Sequence, residues 1–120
     1  MASQKKTIDP QNLSVSTNKM VSLTIFAGNT HIASSTVKFK GSSVILAEGE
    51  ITDFEIGKGA DLVGKTLKVF SRVVKQGPSA KISLTHQFKN TTPAKFQFND
   101  DVFDPGNLFF TYTTEYTFTN

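Results

Sequence analysis

The chain has 120 residues, no cysteine and a formal net charge of +3, from 13 Lys and Arg against 10 Asp and Glu. That length suits one domain able to bury a core without cross-links, and the missing cysteine excludes disulfides, thiol catalysis and thiolate-held metals, which favours a reducing compartment. No apolar run approaches a membrane helix, and the opening MASQKKTIDP has two lysines without the apolar stretch of a secretory signal, so cytoplasmic synthesis is expected.

Residues 1–12 are polar and patternless and read as a flexible arm able to dock onto a neighbour, leaving 13–120 as a single domain. Residues 13–16 are a short strand candidate. Over 19–27, Val21, Leu23 and Ile25 alternate with Ser22, Thr24 and Phe26, the period of a strand with one buried face. Gly28 and Asn29 tolerate positive φ, so 32–39 is expected to fold back as the second arm of a hairpin, with Ala33, Ser35, Val37 and Phe39 inward. Short strands follow at 44–47 and 51–56, then a loop at 57–64. Over 66–74, Leu67, Val69, Ser71 and Val73 alternate with Lys68, Phe70, Arg72 and Val74; Ile82, Leu84, His86 and Phe88 mark the inward side of a partner strand across the 76–79 turn.

A further strand over 94–99 carries Phe96 and Phe98, and Asp104-Pro105-Gly106-Asn107 suits a type II turn. In the last stretch Phe110, Tyr112, Tyr116 and Phe118 share one face, and Phe109, Thr111, Thr113, Glu115, Thr117 and Thr119 the other. With 11 Phe, 2 Tyr and no Trp, the core is expected to be phenylalanine-rich. About eight short strands without a helix of useful length define an all-β fold, an antiparallel β-sandwich of immunoglobulin-like or jelly-roll kind.

Gly59-Ala60-Asp61-Leu62-Val63-Gly64-Lys65-Thr66 fits the letters of a phosphate-binding loop, but a strand pattern follows where that loop needs a helix to present its N–H groups. Residues 99–107 hold Asp100, Asp101 and Asp104 without the spacing of an EF-hand, so a turn is expected rather than a metal site. Glu48 with Glu50, and Asp53 with Glu55, are paired carboxylates with no inferable cleft. His86 lies in an apolar series and reads as a buried, hydrogen-bonded histidine. No Gly-x-Ser-x-Gly elbow occurs. No metal, cofactor or catalytic residue is assigned.

Charge is the most informative feature left. Lys68, Phe70 and Arg72 are expected to share an outward face with Ser83, Thr85 and Gln87, flanked by Lys81 and Lys89, a pattern suited to a polyanion or to an acidic surface. Glu48, Glu50, Asp53 and Glu55 form the complementary patch, which permits head-to-tail or cyclic assembly. The expectation is a non-enzymatic subunit or accessory module contacting other protein subunits, in a homo-oligomer or a larger assembly such as a virion or secretion apparatus, through the arm and the basic face. The alternative is a carbohydrate-binding module using Asp101, Phe103 and Asp104. A nucleic-acid-binding β domain ranks below both.

Overall fold

The computed structural model describes residues 2–76, 78–102 and 106–120. In chain order the elements are β1 (Ala2–Thr7), β2 (Gln11–Val15), β3 (Met20–Ala27), β4 (Ile32–Phe39), β5 (Ile45–Gly49), β6 (Ile51–Lys58), one helical turn α1 (Gly59–Leu62), β7 (Thr66–Val74), β8 (Lys81–Lys89), β9 (Thr91–Thr92), β10 (Lys95–Asp101) and β11 (Asn107–Thr119). They form two sheets packed face to face. The larger, of seven strands, runs β5-β4-β7-β11-β2-β9 with β1 also on β11; the smaller, of four, runs β10-β8-β3-β6.

The 13-residue β11 is central because its alternation suits both of its sides. One edge pairs antiparallel with β7, from Phe109↔Val74 to Thr117↔Thr66. The other edge takes two strands in succession, both parallel to it: β1 along its first half and β2 along its second. Its inward side chains Phe110, Tyr112, Thr114, Tyr116 and Phe118 are buried, as are Leu67, Val69, Ser71 and Val73 of β7. The opposing layer supplies Val21, Leu23 and Ile25 from β3 and Ile82, Leu84, His86 and Phe88 from β8. The Phe88 ring meets the Tyr116 ring edge-on at 4.8 Å, so the two sheets interlock through aromatic geometry as well as buried area.

The sandwich and the residues placed on inward faces agree with the alternation in the sequence, while several expectations change, the purely antiparallel pairing among them, since β1 and β2 run parallel to β11. Eleven strands replace about eight. Residues 2–7, expected in a flexible arm, form β1: main-chain pairing with β11 requires no apolar side chains, so a polar segment takes the place. The 19–27 and 32–39 strands do not form a hairpin. The turn is made, with Asn29 and Thr30 at positive φ and His31 N–H donating to the Gly28 carbonyl at 3.1 Å, yet its arms diverge into different sheets. β3 pairs with β6 and β8, whereas β4 pairs with β5 and β7. The core draws on phenylalanine less fully than expected: both tyrosines are buried, but among the described phenylalanines only Phe88, Phe110 and Phe118 are, while Phe39, Phe54, Phe96 and Phe98 pack against the core partly buried and Phe26 and Phe70 stand exposed.

A close approach fixes the chain between β6 and β7. At Gly59 a Cβ would fall well inside van der Waals contact with the Ser16 carbonyl, because Gly59 N–H donates to the Lys19 carbonyl and Ala60 N–H to the Thr17 carbonyl, drawing the backbones together. Gly59→Ala must push apart two hydrogen-bonded backbone segments and is expected to cost about 1–3 kcal/mol, read as a lower midpoint in urea unfolding.

Candidate functional site

The outer side of the seven-stranded sheet carries the most concentrated set of candidate binding groups. Register places Ser34, Arg72, Thr111 and Lys5 in one row across β4, β7, β11 and β1, and Thr36, Phe70, Thr113 and Thr7 in the next. Between these rows lies a shallow cavity of about 460 Å³ lined by Lys5, Lys6, Thr7, Phe70, Arg72, Phe109, Thr111 and Thr113. Among the described residues no acidic side chain lines it. The Arg72 guanidinium sits over the Phe109 ring, 5.3 Å from its centre, a cation–π contact on the outer side of the sheet. A guanidinium held this way keeps its N–H donors for a carboxylate or phosphate, and the flanking threonines add hydroxyls. One row further on, Lys68 stands between Lys38 and Glu115 in the cross-strand register, and Glu115 is bonded to Lys40 at 3.2 Å.

The five basic-face residues expected together are divided between the sheets. Lys68, Phe70 and Arg72 belong to β7 in the larger sheet; Lys81 and Lys89 belong to β8 in the smaller one, so no common face unites them. The reason is that β7 and β8, though consecutive, do not pair: β8 lies between β10 and β3. Lys81 is instead ion-paired with Asp101 across the β8–β10 register. Lys5 and Lys6 complete the cavity in their place. Their proximity to Arg72 was not legible, because nothing in residues 2–7 announces a strand, although the arm and the basic face were expected to act together.

Glu48, Glu50, Asp53 and Glu55 are brought together. Glu48 lies on β5, Asp53 and Glu55 on β6, and Glu50 on the corner between, and all four are exposed around one shallow depression that also takes in Leu46, Ala47, Ile51, Thr52 and Phe54. A bulge helps: Asp53 has φ of 48°, its N–H donates to Thr24 Oγ1 at 2.9 Å, and the β3–β6 register shifts there, between the Leu23 and Ile25 pairs. Of the loop residues expected to bind sugar, Asp101 is tied to Lys81, and Phe103 and Asp104 lie outside the described residues. Among the described residues no group of His, Asp or Glu is placed to hold a metal ion.

The phosphate-loop lookalike has its N–H groups committed elsewhere. Val63 N–H donates to the Gly59 carbonyl, Gly64 N–H to Phe118 at 2.8 Å and Lys65 N–H to Leu62 at 2.8 Å, while Lys65 Nζ lies over the Phe39 ring. β7 follows at once, as the alternation implied, so no helix N-terminus faces outward.

A serine–histidine pair does exist, in the core. Ser35 and Ser71 hydroxyls lie 2.8 Å apart, Ser71 Oγ is 3.1 Å from His86 Nε2, and His86 Nδ1 is 2.7 Å from the Tyr116 hydroxyl. Ser71, His86 and Tyr116 are each 0% exposed, so no substrate reaches the serine. Burial pushes the His86 pKa down to about 3 and raises that of Tyr116 far above the ordinary phenol range, which keeps both neutral. The chain is a structural link between layers, as the apolar setting of His86 implied.

Compared with protein-family models, with curated proteins and with solved structures, the chain matches none.

The two core tyrosines differ in a way that mutation separates. Tyr116 bonds to His86, whereas Tyr112 Oη is buried without a hydrogen-bond partner among the described residues. Tyr116→Phe strands His86 Nδ1 and is expected to cost about 1–3 kcal/mol in urea unfolding; Tyr112→Phe removes an unsatisfied group and is expected to be neutral or mildly stabilising. Acid tests the histidine. Its folded pKa lies below the unfolded value of 6.5, so the unfolded chain takes up the proton first, and His86's stabilising contribution is complete above pH 6.5 and declines as pH falls toward 3. The limiting loss is about 1.4 kcal/mol per pH unit, and His86→Leu, though less stable overall, is expected to flatten that slope in unfolding midpoints measured between pH 6.5 and 4.

Proposed function

We propose that this chain is a non-enzymatic interaction subunit that assembles head to tail, its cationic sheet face and edge receiving the acidic corner of another copy. The observation that carries this reading is the separation of charge between the β1 side of the larger sheet and the corner where β5 of that sheet meets β6 of the smaller one. Lys5, Lys6 and Arg72 surround a cavity with no acid in its lining among the described residues, and Glu48, Glu50, Asp53 and Glu55 gather at the far end, where β5 adjoins β6. From β1 to β5 there are four strand spacings, about 19 Å, well beyond the roughly 8 Å over which charges act at physiological salt, so the two surfaces do not neutralise each other within one molecule. Complementary patches on different sides of one chain give a heterologous contact, which closes into a ring or continues as a filament according to the rotation between copies.

The closed Ser71–His86–Tyr116 chain supports the non-enzymatic part, since its nucleophile is sealed from solvent. A polyanion is the second reading, favoured by Phe70, 40% exposed, beside the Arg72–Phe109 stack, where a base has a ring to lie on and a cation for its phosphate.

Light scattering behind size exclusion, at about 0.05 M and about 1 M salt, tests both readings, the Debye length falling from above 10 Å to about 3 Å between them. The expected result is a discrete oligomer in multiples of 13.1 kDa at low salt, free of nucleic-acid absorbance, that dissociates at high salt and is weakened by Arg72→Glu. A monomer at every ionic strength overturns the assembly reading, and co-eluting nucleic acid transfers the face to the polyanion.

A further inference from the structure

The geometry points to a specific joint between copies: the β1 edge of one molecule pairs through its main chain with the β5 edge of the next, so that the seven-stranded sheets continue into one another. This rests on the assembly reading and names its surface. The two strands lie toward opposite ends of the same sheet, and among the described residues β1 pairs only with β11, and β5 only with β4. Each thus has one side without a strand partner. Lys5, Lys6 and Thr7 on β1 are exposed, and so are Ile45 and Glu48 on β5, with Val44 just before it 63% exposed. Over residues 5–7 and 45–49 these strand edges carry no further strand among the described residues, and such an edge is a template for another strand.

Strand direction agrees with this joint. β11 is antiparallel to β7, β7 to β4 and β4 to β5, whereas β1 is parallel to β11. β1 and β5 therefore run in opposite directions within one molecule. Setting copies side by side with the same face outward brings them together as an antiparallel pair, without turning either molecule over. In that arrangement Lys5, which shares the outer side of the sheet with Thr111, faces the same way as Glu48, which shares it with Thr36.

Charge then selects among possible edge pairings. β1 against β1 sets lysines beside lysines, and β5 against β5 sets Glu48 beside its own copy, with Glu50 just past each strand end; like charges on paired strands oppose both. β1 against β5 sets Lys5 on the same outer side as Glu48. The symmetric pairings are thus disfavoured and the head-to-tail one is favoured, a discrimination built from repulsion as much as attraction.

The test compares the native chain with Lys5→Glu/Lys6→Glu and with Glu48→Lys/Glu50→Lys, using light scattering at low salt together with amide hydrogen exchange read by mass spectrometry. Native protein is expected to oligomerise, with the amides of residues 5–7 and 45–49 exchanging at least about tenfold more slowly in the oligomer than in the monomer. Each variant alone is expected to remain monomeric, and an equimolar mixture to assemble, because each reversed edge then meets its complement. If native oligomers form while those amides exchange as fast as in the monomer, the copies meet elsewhere: the joint is wrong and the assembly reading stands. A mixture that stays monomeric while native protein assembles also overturns the joint. If native protein does not associate at all, the assembly reading falls first. The native-chain exchange measurement decides the matter even if a variant fails to fold.

Discussion

A hydrogen-bond chain crosses the interior from Ser35 through Ser71 and His86 to Tyr116, and the alignment of the two layers depends on it. Ser35 and Ser71 belong to neighbouring strands of the larger sheet, His86 to the smaller, and Tyr116 returns to β11. Apolar contacts alone tolerate sliding, because their strength follows buried area rather than direction. A buried imidazole with a partner on each nitrogen does not, since displacement by one residue would leave polar groups unpaired where water cannot reach them. The aromatic rings about His86, Phe98 at 5.2 Å and Tyr116 at 5.8 Å, both edge-on, fill the space that such a link keeps open. Burial also holds the imidazole neutral, so the link serves without placing a charge in the core.

Facing and pairing were unequally legible in the amino-acid order. Period-two alternation says which side of a strand is inward, and in β7, β8 and β11 every residue it places inward is buried, the polar Ser71 and His86 included, although Thr85 and Thr111, expected outward, are buried too. It does not say which strand lies alongside. The Gly28–His31 turn has the conformation of a hairpin turn, yet its two arms join different sheets, because each finds its neighbours far away in sequence. The same blindness put Lys81 and Lys89 on the face of Lys68 and Arg72. β1 was hidden for a different reason: its contribution is main-chain pairing, and its exposed Lys5, Lys6 and Thr7 leave no apolar signature. Phe70 and Arg72 were correctly assigned to an outward face because parity alone decides that. The cavity they line was not visible, since Lys5 reaches it only through the register of a strand the pattern does not reveal.

The outer side of the larger sheet combines features that pull in opposite directions for a protein surface. Phe70 and Phe109 offer apolar area, but each has cationic or hydroxylated neighbours, so the face stays wettable. Arg72 lying on Phe109 shields part of that ring. Such a surface is selective rather than adhesive: it gains little from a neutral apolar partner and more from one bringing carboxylates or phosphates.

The place of β11 also bears on how the domain is born. A ribosome delivers β3, β6, β8 and β10 before β11, so every strand of the four-stranded layer is available while the seven-stranded layer still lacks its middle. Until β11 arrives, β7 has no partner on one side, β1 has nothing to lie against, β2 has only the two-residue β9, and the inner face of β8 is without the aromatic column that covers it. The nascent chain is therefore a half-sandwich with an open seam, and closing that seam is the step at which crowding by sister chains on the same messenger matters most.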